Sequence, residues 1–290
     1  LGLNEGTTVG LARTGFGSGH AWEWYCRFIE IFGEVVQALD PVLLSEARDS
    51  IGGPSREAAV AMREAFLQES GKPFPEDPWA QLWGAVRAVL DSWQSRRASA
   101  YRRMHGIPEE QGTAVTIQAM VFGNAGPNSA TGTAFTRNPS TGEREPFGEY
   151  IPDAQGDDIV SGIRTPLPLT SSGTGLSLEE SMPAVYRELR MAFEILERHT
   201  GAMQDIEFTI ERGKLWLLQT RAGITSTEAA LKIAVDMEAE GLLSRERALR
   251  RLNPSSLGRV LHASVRSDLP HDVLTCGLPA SPGAASGVVA

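Results

Sequence analysis

The spacing of apolar residues changes character near residue 113. Upstream, apolar positions recur every three to four residues. Tyr25, Phe28, Ile29, Phe32, Val35, Val36 and Leu39 predict a helix over 20–39. A polar link at 50–54 leads to a second predicted helix near 55–69, with Ser55 as its cap. Lys72 to Pro78 is a proline-broken connection, and Asp77-Pro78 reads as an N-cap followed by proline at the first helical position. The helix it opens runs to about Trp93, with Trp79, Leu82, Trp83, Val86, Leu90 and Trp93 along one side. Residues 1–19 are glycine-rich. Gly15, Gly17 and Gly19 have the spacing of a phosphate loop, but no apolar strand runs into them, so a surface loop is predicted. The basic run from Arg96 to Arg103 reads as the solvated face of a short helix, with phosphate binding as the alternative.

From Thr113 the pattern turns to strands. Val115, Ile117, Ala119 and Val121 alternate with Thr116, Gln118, Met120 and Phe122. TGTAFTRNPSTGE (131–143) follows, then a polar loop ending in GIRTP (162–166). Small residues at Thr131 to Thr133 would let backbone amides approach a phosphate, Asn138 to Gly142 is a turn by composition, and Arg164 is a phosphate, domain-contact or ordinary surface arginine. Ser177 and Glu180 form a capping box that opens a helix to about His199, with Val185, Leu189, Ala192 and Leu196 facing inward. Thr225 and Glu228 cap another helix to about Glu240, and 244–252 is one more. Residues 266–283 carry three prolines and little periodicity, as a linker does. Helices first, then a strand-rich half with interspersed helices, predict an α+β fold divided into a mostly helical 1–112, a strand-rich 113–265 and a terminal 266–290.

The candidate chemistry lies in Met203 to Arg221, MQDIEFTIERGKLWLLQTR. Two short strands flank a turn. Asp205 and Glu207 share one face of the first, and Gln219 and Arg221 share one face of the second. Ile206, Phe208 and Ile210 point the other way, and Trp216 and Leu218 are expected to do the same. All four polar groups reach one side only if the loop has an odd number of residues, such as Glu211-Arg212-Gly213, or if an equivalent bulge intervenes. A carboxylate and an amide oxygen on neighbouring strands suit Mg2+, which prefers oxygen ligands and keeps waters and substrate phosphate oxygens. Arg221 would then neutralise charge on a transferring phosphoryl group. Asp205 would take a nucleotide hydroxyl or orient a ligand. The plain alternative is an amphipathic hairpin whose polar side faces water.

Composition narrows the rest. The 290 residues are 41% hydrophobic and 22% charged, as in a globular protein. No apolar run is long enough to span a bilayer, and a net charge of -9 argues against nucleic acid as the main partner. Cys26 and Cys276 stand far apart, which suits a cytoplasmic protein. The five histidines (His20, His105, His199, His262 and His271) show no metal-site spacing.

The strings GTAVTIQAMVFGN, GTAFTRNPSTGE, GEYIPDAQGDDIVSGIRTP, MQDIEFTIERGKLWLLQTR and ALKIAVDMEAEGLL closely resemble the pyruvate, phosphate dikinase family. FPEDPWAQLWGAVRAVLDSWQSRRA and YRRMHGIP look like its helical segment, so the resemblance runs over nearly the whole chain. It ranks above phosphoenolpyruvate synthase and other enzymes with a phosphohistidine carrier. It implies an ATP-grasp-like nucleotide-binding domain with a helical N-terminal subdomain, truncated at the N-terminus. In the family, ATP gives its β-phosphoryl to a histidine and its γ-phosphoryl to inorganic phosphate. The phosphohistidine then makes phosphoenolpyruvate from pyruvate on another domain of a homodimeric enzyme. The family's D-x-E…Q-T-R pattern falls on Asp205, Glu207, Gln219 and Arg221, with metal-linked contacts at Glu207 and Gln219 and a phosphate contact at Arg221.

The resemblance also marks departures. LGLN looks like the close of a glycine-rich loop, and ASPGAASGVVA like the opening of the phosphohistidine domain. Weak ATP affinity and no phosphoenolpyruvate formation are therefore expected of this chain alone. NSATGTA differs from the more usual SGTGVA, which puts the phosphate role of Thr131 to Thr133 in doubt. The alternative that remains is a nucleotide-binding or regulatory module without catalysis.

Overall fold

A computed structural model describes residues 1–161, 164–171 and 177–254. The expected linker at 266–283, the phosphohistidine-domain start and part of GIRTP lie outside the described residues. The chain divides into two compact units, Leu1–Met120 and Val121–Ala290.

The first unit is helical: α1 (Glu5–Leu11), α2 (Ser18–Gln37), α3 (Pro41–Ser50), α4 (Arg56–Ser70), α5 (Pro78–Ser92) and α6 (Arg96–His105). The glycine-rich start is not a loop. The Asn4 side chain accepts from the Thr7 amide while Thr7 caps Asn4 in return, and this capping box starts α1. Five residues of π-helix, Ala12–Phe16, carry the chain on towards α2. Glycine spacing concealed this because the helical signal sits in the cap and not in an apolar stripe. Ser55 and Asp77-Pro78 cap α4 and α5 as expected. The core joins Tyr25, Ile29 and Phe32 of α2 to Leu44, Met62, Phe66 and Phe74. Phe74 stands edge-on to Phe28, Phe32, Phe66 and Tyr25. The expected stripe of α5 is largely exposed, Trp79 and Trp83 to about two-thirds, while Gln81 of the same helix is fully buried. Gln81 is drawn in by polar bonds: its side chain accepts from the Gly2 amide and donates to the Leu3 and Pro75 carbonyls. In the basic run, Arg102 is buried with its guanidinium 4.1 Å from the Trp93 ring centroid. The predicted strand over 113–122 does not form; Ile117 and Met120 are exposed, and the Phe122 amide donates to Glu211 Oε2. Alternation reports an extended backbone; a strand also needs a neighbour to bond.

The second unit holds an antiparallel sheet of order β3-β2-β1-β4-β5. Its strands are β1 (Ala130–Phe135), β2 (Phe147–Pro152), β3 (Leu167–Pro168), β4 (Gln204–Glu211) and β5 (Lys214–Ala222). Its helices are α7 (Gly156–Ser161), α8 (Leu178–Ser181), α9 (Pro183–Thr200), α10 (Thr227–Ala239) and α11 (Arg245–Arg251). This α+β arrangement is the one the pattern predicted. The Ser177–Glu180 capping box starts only the one-turn α8, because Met182 leaves helical geometry ahead of Pro183, where α9 begins. Ser226, not Thr225, caps α10.

One face of the sheet is apolar. Ala130, Ala134, Tyr150, Ile206, Phe208, Ile210 and Leu215 pack against Val185, Tyr186, Leu189 and Phe193 of α9. Gly132 is fixed by this packing: a Cβ there would lie 2.2 Å from the Phe208 ring. The small residues at Thr131 to Thr133 therefore belong to the middle of a central strand and not to a phosphate loop, and Gly132 faces the core.

Arg137, just past β1, is fully buried between two carboxylates. It bonds Glu197 of α9 from Nε at 3.0 Å and Nη2 at 2.9 Å, and Glu240 after α10 from Nη1 at 3.1 Å and Nη2 at 2.7 Å. Burial opposes the charge, but the bonds and charges of Glu197 and Glu240 more than reverse this and hold the guanidinium's pKa above its usual value.

Candidate functional site

The side of the sheet away from α9 carries the polar residues. Directly opposed residues on neighbouring strands share a face and lie about 5 Å apart, so the register sorts them into rows. Phe147, Phe135, Asp205 and Arg221 form the first row. Glu149, Thr133, Glu207 and Gln219 form the second. Ile151, Thr131, Thr209 and Trp216 form the third.

The hairpin between β4 and β5 decides which residues stand in these rows. Its loop is the two-residue Arg212-Gly213, with φ of 51° and 81°, the left-handed pair of a tight hairpin turn. The three-residue loop is not formed. The parity it was to supply comes instead from a bulge: Phe208 pairs with Leu217 and Glu207 with Gln219, so β5 advances two residues for one of β4. The register slips by one, and Gln219 and Arg221 reach the side of Asp205 and Glu207. The two-residue loop also corrects Trp216. It lies opposite Thr209 on the open side, with the Lys214 ammonium 3.9 Å from its ring centroid, and not on the apolar face. Leu218, at the bulge, is half-buried.

The four predicted site residues therefore come together. Arg221 Nε donates to Asp205 Oδ2 at 2.8 Å, and Arg221 Nη2 is 3.9 Å from Glu207 Oε1. The bond to Asp205, with its charge and that of Glu207, raises the Arg221 pKa and keeps the cation on this face. Glu207 and Gln219 are partly open to solvent. Among the described residues no cluster of three or more His, Cys, Asp or Glu could hold a metal ion by itself. One carboxylate and one amide oxygen fit a cation that arrives with phosphate oxygens and water.

The row adds residues the pattern missed. Thr133 and Glu149 continue the line of Glu207 and Gln219 over two more strands. Burial raises the pKa of Glu149. Glu149 sits in GEYIP, where alternation alone gives no reason to couple it to Glu207; strand order does. Other candidates fall elsewhere. Arg164 donates to the carbonyls of Pro152 and Asp153, a structural role. Asn138 Oδ1 accepts from the amides of Ser140 and Thr141, the expected turn.

Residues 55–181 and 171–242 match the family model described as pyruvate phosphate dikinase, AMP/ATP-binding domain. The chain belongs to this family. It is 47% identical to pyruvate, phosphate dikinase of Rhizobium meliloti (strain 1021) over all of this chain and 34% of the relative. It is 41% identical to pyruvate, phosphate dikinase 2 of Zea mays and to pyruvate, phosphate dikinase of Clostridium symbiosum, again over the whole chain and 34% of each. The chain thus spans about a third of the length of these relatives. In the structure of this family member, no helix among the described residues is long and apolar enough to cross a membrane.

Proposed function

We propose that the open face of the sheet binds ATP with Mg2+, and that the chain is the ATP-binding part of a pyruvate, phosphate dikinase. The observation that carries this reading is the pair of rows in which Glu207 faces Gln219 and Asp205 faces Arg221. In this reading Glu207 and Gln219 offer oxygens to Mg2+, which draws phosphate oxygens onto the sheet and neutralises their charge. Arg221 and its Asp205 partner move together: when a phosphate arrives, the guanidinium can turn from Asp205 towards it, and Asp205 is freed for a nucleotide hydroxyl. Glu149, whose pKa burial raises, stands at the far end of the Glu207 row.

The larger enzyme would pass the β-phosphoryl of ATP to a histidine and the γ-phosphoryl to inorganic phosphate, releasing AMP and pyrophosphate. The phosphohistidine would then convert pyruvate to phosphoenolpyruvate elsewhere in a homodimer. Sparse cysteines suit a cytoplasmic setting for it.

Calorimetric titration of the chain with ATP, with and without Mg2+, tests the site. Binding should strengthen with Mg2+, and Glu207→Ala should abolish that strengthening while circular dichroism stays unchanged. Equal Mg2+ dependence in the variant would refute the assignment.

A further inference from the structure

The open face carries aromatic side chains at both ends, and they are not equivalent. Phe135 and Phe147 lie beyond the acidic residues in the Asp205–Arg221 row. Phe135 packs on the cluster of α10 and α11 and stands 6.3 Å from the Phe147 ring. Trp216 stands at the other end, 38% exposed, in the row after Glu207 and Gln219. Its row mates Ile151, Thr131 and Thr209 are buried and uncharged. Two residues along a strand span roughly 7 Å, about the reach of the ribose between a nucleotide's base and its phosphates. The Lys214 ammonium covers one side of the indole, holding the ring in place by cation–π attraction.

We propose that Trp216 is the platform on which the nucleotide base stacks, with Lys214 fixing the indole from behind. This deepens the reading above and rests on it: phosphates and Mg2+ occupy the Glu207–Gln219 row, and the base lies against the exposed indole of Trp216 at the edge strand. A lysine and tryptophan on an edge strand also serve to discourage strand addition. That role predicts no dependence of affinity on the base.

The test compares ATP with inorganic tripolyphosphate, both with Mg2+, titrated into the chain and its Trp216→Leu and Trp216→Phe variants. Base–aromatic stacking of ordinary strength gives about a tenfold loss of ATP affinity in Trp216→Leu, partly restored in Trp216→Phe, with tripolyphosphate binding unchanged. Unaltered ATP affinity in Trp216→Leu overturns the platform. So does an equal loss for both ligands, which would mark a structural role. If the unaltered chain binds ATP and tripolyphosphate equally, the platform fails and the phosphate site stands. If it binds neither, the nucleotide reading fails and the platform falls with it.

Discussion

Removing the Arg137 side chain should cost the second unit about 3–5 kcal/mol of stability. Arg137→Ala leaves Glu197, whose side chain is 6% exposed, with the Thr136 hydroxyl at 2.6 Å as its remaining bonded partner. Glu240, 23% exposed, can relax into water. The loss therefore falls chiefly on one uncompensated buried carboxylate. Breaking a buried pair from one side costs about 3–5 kcal/mol, which at roughly 1.4 kcal/mol per decade lowers the folding constant by about two to three and a half orders of magnitude. Domains are stable by only about 5–15 kcal/mol. Urea denaturation followed by far-ultraviolet circular dichroism reads this as a lower midpoint at unchanged slope.

Arg137→Met combined with Glu197→Met removes both charges and should recover much of the loss, since apolar replacement of a buried pair is often neutral. A deficit under about 1 kcal/mol in Arg137→Ala would refute this account of the triad.

Two further perturbations address the open face. Deleting Leu218 removes the extra residue of the bulge and leaves Leu217 opposite Phe208 and Gln219 opposite Glu207 in a regular ladder; Mg2+-dependent ATP binding should survive in titration calorimetry, and its loss would sink the register argument. Burial raises the Glu149 pKa, so its folded form binds protons more tightly than its unfolded form and stability declines as pH rises past the ordinary carboxylate range. Glu149→Gln should therefore melt higher than the parent at pH 7 and level with it at about pH 4; identical melting at both values would show that Glu149 is not strained by burial.

The sequence was most legible where one residue type does one local job. Ser55, Asp77-Pro78 and the Ser177–Glu180 box cap helices because their side chains bond amides two or three residues away, a relation visible without any fold. The α2 stripe was legible for the same reason, since its period is its own. What failed needed a partner. Residues 113–122 alternate like a strand, yet ladder bonds depend on a neighbour that alternation does not name. The α5 stripe has helical spacing, yet burial of Gln81 and exposure of Trp79 follow from Gly2, Leu3 and Pro75, two of them more than seventy residues away. Glu149 and Thr133 joined the acidic row only when strand order placed β2 and β1 beside β4.

The hairpin lies between these cases, and the reason is arithmetic. Asp205, Glu207, Gln219 and Arg221 can share a side with any odd loop or with one inserted residue, so polarity fixes the parity and leaves the means open. Turn chemistry does not decide it: Gly213 suits positive φ, but Arg212, also left-handed at 51°, is a poor marker for such a turn. Trp216 separates the two solutions. With a three-residue loop and even pairing, it would oppose Phe208 on the apolar side, Gln219 would stand across from Asp205, and Arg221 would overrun the ladder to Met203. With the two-residue loop and the bulge, Glu207 meets Gln219 and Asp205 meets Arg221. Trp216 and Gln219 are three residues apart, so a regular strand must point them to opposite sides. An odd slip between them is what sets the Trp216 indole and the Gln219 amide on the same surface.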